Sequence, residues 1–133
     1  MKNKIYTILL SLVLIAVVYA GAYIDYFHAR SESDNVKLEW KTVEELNLQK
    51  FVIERRTTQS SFSEVATVSP KGDNSFYSFI DENVYKTNNS VFIYRLKIVE
   101  NNNQVSYSSD VSVSHSVSSI YKRTWGSIKA MFR

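Results

Sequence analysis

Cysteine is absent from the 133-residue chain. That excludes a disulfide framework, a thiol nucleophile and any Cys-ligated zinc or iron–sulfur centre. Histidine occurs only twice, at His28 and His115, too few for a His-rich metal site. With 3 glycines and 1 proline, the chain lacks a dinucleotide fingerprint, a phosphate-cradling loop and any Gly- or Pro-repeat. No cofactor is expected. Basic clustering within the body is also missing: Asp34 to Ser114 carries nine Lys/Arg against eleven Asp/Glu, so the net charge of +3 arises from the chain's two ends. A nucleic-acid groove is therefore not expected.

What the chain does have begins with Ile5 to Ile24, an uncharged and largely apolar run behind Lys2 and Lys4. As a helix, twenty such residues reach about 30 Å, the thickness of a bilayer's hydrocarbon core. The expectation is a single N-terminal transmembrane helix over 1–24, its N-terminus cytoplasmic and its body extracytoplasmic, with the bilayer as partner of residues 5–24. The alternative is a cleaved leader, because Ala20 and Ala22 suit a signal peptidase and would leave the body secreted or periplasmic.

From Tyr26 to Ser114 the pattern is that of strands. Val36, Leu38 and Trp40 alternate with charged residues; Phe51 to Arg55, Ser63 to Val68 and Ser75 to Ile80 follow, and Val91 to Val99 shows the clearest alternation. Tyr26 to Arg30 supplies a further strand, Thr42 to Lys50 reads as a long loop, and Val105 to Val113 as one returning strand with Tyr107 on its apolar side. Pro70 to Asp73 and Asn101 to Asn103 mark turns. These strands predict an all-β, two-sheet domain over 25–114, with Leu38, Trp40, Phe51, Ile53, Tyr94 and Leu96 as its core.

Leu38-Glu39-Trp40, Thr42, Glu45, Asn47, Phe51, Ile53-Glu54-Arg55, then Tyr77, Phe79, Asp81, Tyr94 to Lys97 and Tyr107-Ser108 together resemble a bacterial fibronectin type III domain. The resemblance implies a fibronectin type III-like β-sandwich, with Trp40 as core tryptophan and Tyr94 as the tyrosine whose hydroxyl pins a sheet corner. It also implies that Glu45 and Asn47 stabilise their loop through backbone hydrogen bonds.

No constellation in the body points to catalysis. Adjacent Glu44 and Glu45 do not converge on one substrate, and Asp73, Asp81 and Glu82 lack calcium-loop spacing. No serine sits in a nucleophile elbow. Asn88-Asn89-Ser90 matches a glycosylation acceptor pattern that arises readily by chance. The connector and tail, 115–133, hold Tyr121, Lys122, Arg123, Trp125, Ile128, Lys129, Met131, Phe132 and Arg133; Trp125, Ile128 and Phe132 share one helical face. Those nine residues are the expected partner-binding set. The functional expectation is a non-enzymatic, membrane-tethered interaction or structural module of the cell envelope whose tail docks to a protein at the membrane, with no nucleic acid or small-molecule substrate. Its alternatives are a small accessory subunit of a membrane complex and a secreted ligand-binding domain.

Overall fold

A computed structural model of the chain describes residues 21–84 and 90–115. Eight strands make up these residues: β1 (Gly21–Glu32), β2 (Asn35–Leu46), β3 (Leu48–Thr57), β4 (Ser63–Val68), β5 (Phe76–Asp81), β6 (Ser90–Glu100), β7 (Val105–Tyr107) and β8 (Val111–His115), with a short 3-10 helix at Glu82–Val84. Two sheets form, one in the order β1-β2-β5, the other β4-β3-β6-β7 with β8 also on β6. Every pairing is antiparallel.

Alternation decides which sheet faces meet. Val36, Leu38, Trp40 and Thr42 of β2 are each fully buried, as are Phe51 and Ile53 of β3 and Tyr94 and Leu96 of β6. Trp40 lies parallel to Tyr77, ring centroids 4.9 Å apart, and meets Phe51 and Phe27 edge-on at 5.9 and 6.4 Å. Offset and edge-on aromatic contacts of this kind add to the area they bury. A second tie joins the sheets through charge. The carboxylate of Asp81, at the end of β5, accepts hydrogen bonds from Arg55 of β3 at 2.5 Å and Tyr94 of β6 at 2.9 Å.

Turn chemistry explains where the sequence reading of the connections fails. Thr42 to Lys50 is not a long loop: β2 runs to Leu46, Asn47 takes a positive φ of 52°, and β3 starts at Leu48. Asparagine tolerates that conformation, so one residue carries the chain from one sheet to the other. Val105 to Val113 is broken into β7 and β8, which lie in succession along β6, and Tyr107 is 50% exposed rather than apolar-facing.

The expected fibronectin type III-like sandwich behind a transmembrane helix is corrected. All-β character holds, in two antiparallel sheets that share one core, but no membrane-crossing helix precedes them among the described residues. Among the described residues no helix is long and apolar enough to cross a membrane. The expected span ends in Gly21–Ile24, and those residues are committed to β1, paired with Leu46, Glu45, Glu44 and Thr42. The bilayer partnership of residues 5–24 and the single-pass membrane location lose their support with it.

Two outcomes test this architecture. Trp40→Ala should cost about 3–5 kcal/mol in denaturant unfolding, whereas Glu44→Ala, on an exposed strand end, should stay within about 0.5 kcal/mol. Tyr94 is pushed well above its ordinary 10.0 by burial, and then by the charge of Asp81 and their hydrogen bond. The unfolded chain therefore loses this proton at lower pH than the folded one. Stability is complete below about pH 10 and falls as pH rises above it. Tyr94→Phe should flatten that alkaline decline, read as the unfolding midpoint from about pH 8 to about pH 11.

Candidate functional site

A cleft of about 390 Å³ opens where the β1 edge of one sheet faces β6 and β7 of the other. Its apolar lining is Ala22, Ile24, Phe27 and Ile98; its polar lining is Asp25, Tyr26, Ser106, Tyr107, Ser108 and Ser109. Irregular pairing in β1 shapes this edge. The register shifts between Tyr23 and Ile24 and again between Ile24 and Tyr26, leaving Asp25 without a cross-strand partner in the ladder. Such a bulge bends a strand and re-aims its side chains. Asp25 remains half-exposed, with Lys41 Nζ 3.5 Å from its carboxylate.

Tyr107 is held from outside the cleft. The guanidinium of Arg95 sits 3.9 Å from the Tyr107 ring centroid and 3.9 Å from that of Phe62, a cation between two rings. Glu54 accepts a 2.6 Å hydrogen bond from Arg95 Nε and fixes the guanidinium in turn. Ser108 is committed to the backbone: its hydroxyl accepts from Leu96 N at 2.8 Å and donates to Ser109 O at 3.0 Å. The lining of the cleft thus includes two tyrosines, three serines and a carboxylate. Those groups suit a ligand with apolar ring faces and a hydroxyl-rich edge. Asp25 is the single carboxylate among the described lining residues, where paired-carboxylate hydrolysis uses two.

The residues singled out in the sequence fall elsewhere. Tyr121, Lys122, Arg123, Trp125, Ile128, Lys129, Met131, Phe132 and Arg133 lie outside the described residues, as do Asn88 and Asn89. Leu38, Trp40, Phe51, Ile53, Tyr94 and Leu96 are fully buried between the sheets, away from the cleft lining. Glu45 is the centre of a clamp: it accepts from Thr42 Oγ1 at 2.7 Å, Tyr77 OH at 2.5 Å and Gly72 N at 2.8 Å, while Asp73 accepts from its own N–H. That clamp ties the Pro70–Asp73 turn to β2. Among the described residues no group of acidic or His side chains is placed to hold a metal ion. His115 is fully buried with Nδ1 2.7 Å from Ser31 Oγ. Its Nε2 has no hydrogen-bond partner among the described residues. The cleft itself escaped sequence reading because its lining comes from three strands, and only the bulge-forming Asp25 interrupts an otherwise regular alternation.

No family model matches the chain, and no curated protein matches its sequence. Solved structures do match in fold. One is a pectate lyase from Erwinia chrysanthemi in complex with tetragalacturonic acid, 22% identical with a TM-score of 0.50, over 70% of this chain and 28% of that one. Another is a family 76 glycoside hydrolase from a bovine Bacteroides thetaiotaomicron strain, 7% identical with a TM-score of 0.54, over 70% of this chain and 20% of that one. The chain therefore spans less than a third of the length of either. These matches correct the remaining expectations. What they show is a likeness of fold to part of a pectate lyase and part of a glycoside hydrolase. The expectation of a non-enzymatic, membrane-tethered envelope module loses its support, while the tail expected to dock to a partner protein lies outside the described residues.

Proposed function

We propose that the chain is a secreted or periplasmic carbohydrate-binding domain of a carbohydrate-active protein, and that the β1–β7 cleft holds an oligosaccharide. The observation that carries this reading is the cleft's lining of Tyr26, Tyr107, Asp25 and three serines around an apolar floor. Sugar rings present apolar C–H faces to aromatic rings and hydroxyls to side chains such as Asp25 and Ser106, so both halves of the lining have a use. Fold likeness to part of a pectate lyase and part of a glycoside hydrolase supports the same ligand class. Extracytoplasmic placement agrees with a leader cut after Ala20, which would free the chain at Gly21, the first residue of β1.

Calorimetric titration with tetragalacturonic acid and with mannotetraose tests the reading. The expected outcome is binding of one or both, weakened about tenfold or more by Tyr107→Ala with an unchanged melting temperature. Absence of binding to either by the folded protein would refute the cleft as a sugar site. Chromatography of the same mixtures shows whether the bound oligosaccharide is also cleaved, which would assign catalysis to this chain itself.

A further inference from the structure

The outer face of the β1-β2-β5 sheet carries a second feature, distinct from the cleft floor. Strand register sets Tyr26, Lys41 and Phe76 side by side across the three strands. Phe76 and Tyr23 are 62% and 66% exposed, the highest values among the exposed large hydrophobic side chains described. Tyr26 stacks on His28 with ring centroids 5.0 Å apart, which restricts its ring. Lys41 Nζ lies 5.2 Å from the Phe76 ring centroid and pairs with Asp25.

Charge on this face cancels. Lys37 pairs with Glu39 at 3.0 Å, and Arg30 pairs with Glu32 at 2.8 Å and Glu39 at 3.6 Å. Three cations therefore face three anions, and a polyanion gains nothing from the ensemble. Nor does the face resemble the centre of a protein interface, which is depleted in charged residues. Here charged side chains from β2 stand between the aromatic ones of β1 and β5. Two inter-strand spacings separate the Tyr26 and Phe76 backbones, about 9.5 Å, a distance that suits alternate rings of an extended sugar chain.

We infer that the outer face of the β1-β2-β5 sheet is a flat platform for an extended, uncharged polysaccharide, with sugar rings stacked on Tyr26 and Phe76 and their hydroxyls meeting Lys41, Glu39 and Ser78. This rests on the carbohydrate-binding reading and adds a second surface and a ligand class to it. The cleft takes a short oligosaccharide; the platform takes the side of a long chain.

Adsorption of the full chain to microcrystalline cellulose, insoluble mannan and insoluble xylan tests the platform, with cross-linked polygalacturonate as the charged comparison. Tyr26 borders both surfaces and is left unchanged. Phe76→Ala should lower retention on at least one neutral glycan about tenfold, Phe76→Tyr should restore it, and added salt should have little effect. Tyr107→Ala, which alters the cleft lining alone, should leave that retention within about twofold, so failure of the cleft and failure of the platform are read separately. Equal retention of wild type and Phe76→Ala overturns the proposal. So does wild-type retention on polygalacturonate alone, or on none of the four materials.

Discussion

With no cysteine in the chain, the two sheets are held face to face by side-chain packing, and that packing centres on the indole of Trp40. Tyr77 from β5 lies flat against it, while Phe27 from β1 and Phe51 from β3 meet its edges. One ring thereby touches both neighbours in its own sheet and the sheet opposite. The arrangement leaves Trp40 Nε1 buried without a hydrogen-bond partner among the described residues. An unsatisfied buried donor costs about 1–3 kcal/mol, comparable to the gain from burying a large apolar side chain, about 1.5–3 kcal/mol. The edge-on and stacked ring contacts add to the burial side of that balance.

Polar ties then set how the sheets lie on that centre. Asp81 is fully buried as a side chain and is met by Arg55 and Tyr94 from the opposite sheet. A buried carboxylate is costly unless paired and hydrogen-bonded, and here it is both. At the other end, Glu45 gathers Thr42, Tyr77 and Gly72, so the Trp40–Tyr77 stack is continued into a hydrogen-bonded clamp through the tyrosine's own hydroxyl. The core and the turn that closes it share a residue.

Function follows from what these ties leave open. The sheets meet along their centres but not along the β1–β7 side, where a bulge in β1 and the shortness of β7 keep the edges apart. The opening becomes the cleft. On the far side, Phe62, Arg95 and Glu54 form a brace behind the half-exposed Tyr107. Pre-set walls of this sort lower the ordering cost of holding a ligand.

Alternation along β2, β3 and β6 was enough, by itself, to place Trp40, Phe51, Tyr94 and their neighbours on inward faces, because a period of two is a local property of the strand. The absence of cysteine and the segregation of charge were equally plain, and the first excluded thiol chemistry without reference to any fold. The apolar run was legible as hydrophobic, but not its boundary. Gly21 to Ile24 read as membrane residues because hydropathy cannot see that Leu46, Glu45, Glu44 and Thr42 are waiting to pair with them. The same limit hid the roles of single polar side chains. Asp81 showed in the sequence only as a carboxylate without calcium-loop spacing; Arg55 and Tyr94, 26 and 13 residues away, meet it in the fold. Likewise Asp25, Tyr26, Ser106 and Tyr107 belong to no motif; only the offset of two sheets and one bulge assembles them. Periodicity is written in neighbours along the chain, whereas a cleft or a platform depends on register between strands, and that is settled only when the strands pair.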